Sequence, residues 1–119
     1  MPTITWSFCR GYVEPVVWLD VLALESAWAL TDGYIGRGGE GSLHGDRYAR
    51  VGAFIRSERR LWYLHLNLKG GVPVFTDGRH RFAWLRDRGA KAVPFTTSQD
   101  EASDLARRFG TTARQTTFD

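Results

Sequence analysis

One cysteine stands in this chain of 119 residues. A lone Cys9 excludes an intrachain disulfide and any metal site that needs two thiolates from one chain, and it gives a redox role no support. Long apolar runs are missing too. The longest, around Val16 to Leu30, is broken by Asp20, Glu25 and Ser26, which rules out a bilayer span and predicts a strand followed by a buried helix. The opening residues, MPTITWSFCRGY, lack the apolar stretch and small-residue cleavage pattern of a secretory signal, so the cytoplasm is the expected compartment and no membrane partner is expected. Charge of one sign is also in short supply. A net charge of +3 is a weak pointer to an acidic partner such as nucleotide or nucleic acid. No internal repeat is visible.

Aromatic residues and arginine are plentiful. Five Trp, four Tyr and seven Phe supply large buried area. The length predicts one domain over residues 1–110, carrying a glycine-rich loop at 33–45 and followed by a polar, loosely packed tail at 111–119. The arginines fall into three groups: Arg56, Arg59 and Arg60; Arg79, Arg81, Arg86 and Arg88; Arg107 and Arg108. Arginine rather than lysine suits two-pronged contacts to phosphate.

The pattern of elements predicts an α/β (α+β) fold, a small mixed β-sheet with packed helices. Tyr12 to Trp18 reads as a strand and Asp20 as the cap of a helix running to about Leu30. From Gly33 to Gly45 six of thirteen residues are glycine, which predicts a mobile loop or a flap over a ligand. Gly36, Gly38 and Gly41 match a dinucleotide fingerprint by letter, but a helix precedes them where that motif needs a strand. Asp46 is placed to cap a second helix with Tyr48, Val51, Phe54 and Ile55 inward. Leu61 to Leu68 alternates, with Trp62, Leu64, Leu66 and Leu68 on one face. Lys69-Gly70-Gly71 turns the chain into an antiparallel strand, Val72 to Thr76, whose Pro73 suits an edge. Further on, Gly89 closes a helix, Val93 to Thr96 is a strand, and Ser98 to Glu101 is a capping box for a helix ending at Gly110.

The chemistry concentrates in VPVFTDGRHRFAWLRDRGAKAVPF, Val72 to Phe95. A β-branched run turns through Asp77-Gly78 into a basic helix. Gly78 lets backbone approach a ligand, the free amides at the helix start carry partial positive charge, and Arg79, His80 and Arg81 add donors at the same end. An anion is the natural occupant. Asp77 has three roles open to it: capping the helix, orienting Arg81 or orienting a metal-bound water. A catalytic base is harder to find: Glu14, Asp32, Glu40 and Asp77 are the candidates, and no carboxylate pair has nuclease spacing.

Through DGRHRFAWL, with VPVFT before it and AVPF after it, the chain resembles the ParB/sulfiredoxin-like superfamily. The early PVVWLD segment agrees with that superfamily's first box, while Gly33 to Gly45 has no counterpart. The resemblance implies that Gly78, His80 and Arg81, with Arg79 beside them, contact the phosphates of ATP or another nucleotide, with Mg2+ as a possible companion. It implies catalytic roles for Asp77 and for a first-box carboxylate, Glu14 or Asp20. Sulfiredoxins place their cysteine where Arg79 stands, so sulfinic acid reduction is not expected. Among stand-alone members the run is similar to plasmid fertility-inhibition factors of the Osa type, which implies ATPase and DNase activity directed against conjugative DNA transfer. Two other readings stay open: a non-catalytic regulator that docks on a protein of the conjugation machinery, marked by an exposed tryptophan, and a simple DNA-binding module.

Overall fold

The computed structural model describes residues 1–10 and 13–119. Its elements, in chain order, are β1 (Thr5–Ser7), β2 (Val16–Asp20), α1 (Val21–Trp28), a 3-10 turn (Arg37–Gly39), α2 (Arg47–Glu58), β3 (Arg60–Trp62), β4 (Leu64–Lys69), β5 (Val72–Asp77), α3 (Arg79–Asp87), β6 (Ala92–Thr96) and α4 (Gln99–Phe109). The main sheet runs β2-β6-β4-β5, and β1 and β3 form a separate parallel pair. The sheet is mixed. β6 is antiparallel to β2 and parallel to β4, and β4 is antiparallel to β5. The expected mixed α+β architecture is therefore present. Of the first predicted strand, Tyr12 lies outside the described residues.

Local chemistry explains most boundaries. The Asp20 carboxylate accepts from the Ala23 amide at 2.9 Å and starts α1, which buries Val21, Leu24 and Trp28 at helical spacing. Gly70 and Gly71, both with positive φ, turn β4 into β5. Pro73 sits on β5, the edge strand, where its missing N–H costs no ladder bond on the open side. At the end of α3 the Gly89 amide bonds the Arg86 carbonyl and the Ala90 amide reaches back to Leu85, a glycine stop with φ of 82°. Trp28, Phe75, Phe82 and Phe95 pack in the core, with Trp28 4.8 Å from Phe75 and 5.4 Å from Phe82.

Several expectations are corrected. Phe54 does not join the inward stripe of α2 but is 53% exposed. The reason is Gly52, which faces α3 so closely that an added Cβ would stand 2.0 Å from Trp84 Nε1 and which sets, with Ile55, the buried line of the helix. Trp62 is 54% exposed instead of sharing a face with Leu64 and Leu66. The alternation breaks at Tyr63, whose amide bonds Ser7, so β3 buries Leu61 in the small ribbon and β4 resumes the period in the main sheet. Asp46 bonds the Arg50 guanidinium one turn on. Glu101 does not close a capping box. It accepts from the Leu68 amide and the Asn67 side chain, just past the last β4–β6 pair, His65 with Thr96. The tail is firmly packed. Thr116 and Phe118 are buried, Phe118 lies 5.4 Å from Trp84, and Thr117 bridges Thr3.

A buried ionic cluster ties the glycine-rich segment to the body. Arg86 Nη1 donates to Glu25 at 3.1 Å and to the Ile35 carbonyl at 2.6 Å, while its Nε donates to Asp87 at 2.9 Å. Asp87 also accepts from the Tyr48 hydroxyl at 2.6 Å and the Gly38 amide at 2.9 Å, and Glu25 accepts from Tyr34. The segment expected as a mobile flap thus contains a 3-10 turn and a fully buried Ile35, anchored from both sides of Arg86.

Two substitutions test this packing. Gly52→Ala should lower unfolding free energy by about 1–3 kcal/mol through the clash with Trp84, measured by urea denaturation. Arg86→Met should cost about 3–5 kcal/mol, because Glu25 and Asp87 lose their shared cation inside the protein, and should raise amide exchange over Ile35 to Gly38.

Candidate functional site

The strand-to-helix turn has the geometry that its sequence foretells. Gly78 lies at φ 95°, in the left-handed region, and precedes the first residue of α3. A Cβ there would meet Leu64 Cγ at 2.4 Å, so glycine is required by space as well as by φ. Asp77, Gly78, Arg79, His80 and Arg81 line a small pocket of about 190 Å³ together with Arg47 and Val51. The two α2 residues are one turn apart and face the turn from across the pocket. Nothing local in the sequence pairs Arg47 with residues thirty positions later, which is why it escapes a reading of the sequence.

Asp77, Arg79, His80 and Arg81 each have a defined partner. Arg81 donates to the Trp62 carbonyl at 2.9 Å and to Asp77 Oδ2 at 3.1 Å. Of the roles open to Asp77, the structure has the one that orients Arg81, while Gly78 stands at the N-cap position with no side-chain cap bond. Arg79 donates to the Gly33 carbonyl at 3.1 Å and also lines a neighbouring cleft of about 540 Å³ beside Trp28, Asp32, Lys69 and Phe75. His80 is 5% exposed, with Nε2 2.8 Å from Ser42 Oγ. Burial, followed by the nearby charges of Arg79, Arg47 and His44, pushes its pKa down to about 4. His80 is therefore a neutral wall of the pocket, and the positive charge comes from Arg47, Arg79 and Arg81.

The two expected catalytic carboxylates converge. Glu14 and Asp77 both line a cleft of about 310 Å³ with Phe8, Cys9, Tyr63, His65, Thr76 and Thr96. Asp77 borders this cleft and the small basic pocket alike. Asp32 lines the larger cleft, and Glu40 is exposed in the glycine-rich segment. Asp20 caps α1 instead. Among the described residues no group of three or more His, Cys, Asp or Glu side chains is placed to hold a metal ion. Glu14 and Asp77 are two carboxylates, a number that suits Mg2+ when substrate phosphate supplies further oxygens.

The arginine groups are largely absorbed by the fold. Arg56 and Arg88 stack over Trp84 at 5.1 and 5.3 Å, and Arg86 is buried. Arg108 donates to the Gly71 carbonyl and lies over Phe109.

Fold and pocket together define a small α+β domain with a basic pocket at a strand-to-helix turn. Residues 43–110, more than half of the chain and including the whole turn, match the family described as plasmid fertility inhibition factor, and the chain belongs to that family. No curated protein and no solved structure matches it significantly. No helix among the described residues is long and apolar enough to cross a membrane.

The lowered pKa of His80 makes stability depend on pH. The unfolded chain takes up a proton near pH 6.5 while the folded one resists until about pH 4, so stability is full above pH 6.5 and falls as pH drops through this window. The loss attributable to His80 is at most about 3 kcal/mol. Urea titrations of the parent and of His80→Leu at pH 7 and pH 4 should show a smaller pH difference in the variant.

Proposed function

We propose that this family member recognises phosphate at the Asp77–Arg81 turn and acts against conjugative DNA transfer through a bound nucleotide. The carrying observation is the convergence of Arg47, Arg79 and Arg81 with the left-handed Gly78 and the start of α3 on one pocket. Backbone amides at a helix start and guanidinium groups around a small cavity are the chemistry of phosphate recognition. The pocket's 190 Å³ suits phosphate, and the 540 Å³ cleft across Arg79 offers an aromatic and apolar wall for the rest of a nucleotide. Hydrolysis of ATP or cleavage of DNA, with Mg2+ supported by Glu14 and Asp77, is the activity that this reading and the ParB/sulfiredoxin-like resemblance favour.

A second reading draws on one observation, the exposure of Trp62, whose carbonyl is held by Arg81 at the edge of the pocket. An aromatic surface of this kind suits a regulator that docks on a protein of the transfer machinery without turnover. Plain DNA binding is weaker, since stacking, burial and backbone contacts occupy many of the arginines that would form its face.

Calorimetric titration of ATP, CTP and pyrophosphate, with and without Mg2+, tests the reading. Arg47 is exposed, so Arg47→Ala should keep the fold while weakening phosphate affinity at least about tenfold, the scale of one charged hydrogen bond. Arg81→Ala should weaken it comparably, with some loss of stability through Trp62 and Asp77. Absence of binding by the parent would hand the case to the docking reading.

A further inference from the structure

The main sheet has two outer strands, and the fold treats them differently. On β2 the edge is covered: Leu19 bridges Gly110, and the Thr111 amide donates to the Trp18 carbonyl. On β5 the edge is open, and Val72, Pro73, Val74 and Phe75 form one side of the 540 Å³ cleft. Which backbone groups face outward follows from one bond. The Leu68 amide donates to Glu101, away from β5, so Leu68 and its partner Pro73 exchange no ladder bonds. Pairs alternate in an antiparallel ladder, which puts Lys69–Val72 and Asn67–Val74 in the bonded set and turns the backbone of Pro73 and Phe75 to the open side. Proline has no N–H. The outward groups are therefore the Pro73 carbonyl, the Phe75 amide and the Phe75 carbonyl: an acceptor, a donor and an acceptor in sequence. Among the described residues no other backbone segment bonds any of the three. An edge lacking the N–H at Pro73 is a poor template for a further strand. Three groups in a row suit the rim of a flat ring instead.

We propose that the open edge of β5 reads the base of the bound nucleotide and selects adenine, an inference that rests on phosphate being held at the Asp77–Arg81 turn. Arg79 borders both cavities, so a nucleotide with its phosphates in the smaller one reaches the larger with its base. Adenine N6–H donates to the Pro73 carbonyl, N1 accepts from the Phe75 amide, and C2–H meets the Phe75 carbonyl. Other Watson–Crick edges fit less well. In the same register guanine and uracil set an N–H against the Phe75 amide, and cytosine, which matches the first two groups, sets its O2 against the Phe75 carbonyl. Each mismatch leaves polar groups facing one another without a bond. Leu30 and Val72, exposed where they line the cleft, offer apolar surface to the faces of the ring.

The test combines calorimetry with amide exchange at Phe75, using ATP, 2-aminoadenosine triphosphate, 1-deazaadenosine triphosphate, GTP, CTP, UTP and pyrophosphate, each with Mg2+. The added amine of 2-aminoadenosine donates to the Phe75 carbonyl, so that nucleotide should bind at least as tightly as ATP. The 1-deaza analogue, which lacks the N1 acceptor, and the other three common nucleotides should bind at least about tenfold more weakly than ATP. ATP should slow exchange of the Phe75 amide at least about tenfold, and pyrophosphate should leave it unchanged. Equal affinity for the four common nucleotides, or a Phe75 amide indifferent to bound ATP, would overturn the base assignment while binding of pyrophosphate keeps the phosphate pocket. Failure to bind either ATP or pyrophosphate would remove both. Protection of the Phe75 amide that grows with protein concentration in the absence of nucleotide would mean that the edge pairs with a second copy, and that outcome also overturns the assignment.

Discussion

The guanidinium of Arg86 is the interaction on which the arrangement turns. It sits between Glu25 of α1 and Asp87 of its own helix while donating to the carbonyl of Ile35. Burial opposes its charge, but hydrogen bonds and the two carboxylates outweigh that cost and raise its pKa. Asp87 balances the same terms in reverse: burial pushes its pKa up, and bonds from Arg86, Tyr48 and Gly38 hold it below the usual value. Ion pairs of this kind contribute more to choosing one arrangement than to net stability. Here the choice brings the glycine-rich segment against α3, where Gly33 meets Arg79 and Ser42 meets His80.

Much of the frame was legible because its signals are local. Asp20, Gly70-Gly71, Gly89 and the alternation of Leu64 and Leu66 each report a cap, a turn or a strand within a few residues. Illegible features share the opposite property. Arg86 reads as an ordinary cation near a helix end until Glu25, sixty-one residues earlier, closes on it. Phe54 reads as core until Gly52 admits Trp84 and sets the helix rotation. The tail's threonines suggest little to bury, yet Thr116 and Phe118 alternate inward and Thr116 Oγ1 donates to the Ala92 carbonyl at 2.6 Å.

The candidate site divides along the same line. Its turn, Asp77 to Arg81, was visible as a motif because strand, glycine and helix start are contiguous. What surrounds the turn comes from elsewhere: Arg47 from α2, Glu14 from before β2, and His65 from the adjacent strand. A motif marks the turn; only the sheet register decides which side chains sit beside it.

Trp62 gives this surface a built-in reporter. Its indole is more than half exposed, whereas Trp28 and Trp84 are 1% and 3% exposed, and its carbonyl is held by Arg81. Iodide in solution would reach it more readily than the buried pair or the partly buried Trp6 and Trp18, so Trp62, at the edge of the basic pocket, is the most quenchable of the five tryptophans. Any occupant that draws Arg81 away from that carbonyl changes the indole's surroundings directly, and intrinsic fluorescence follows the site without an attached dye.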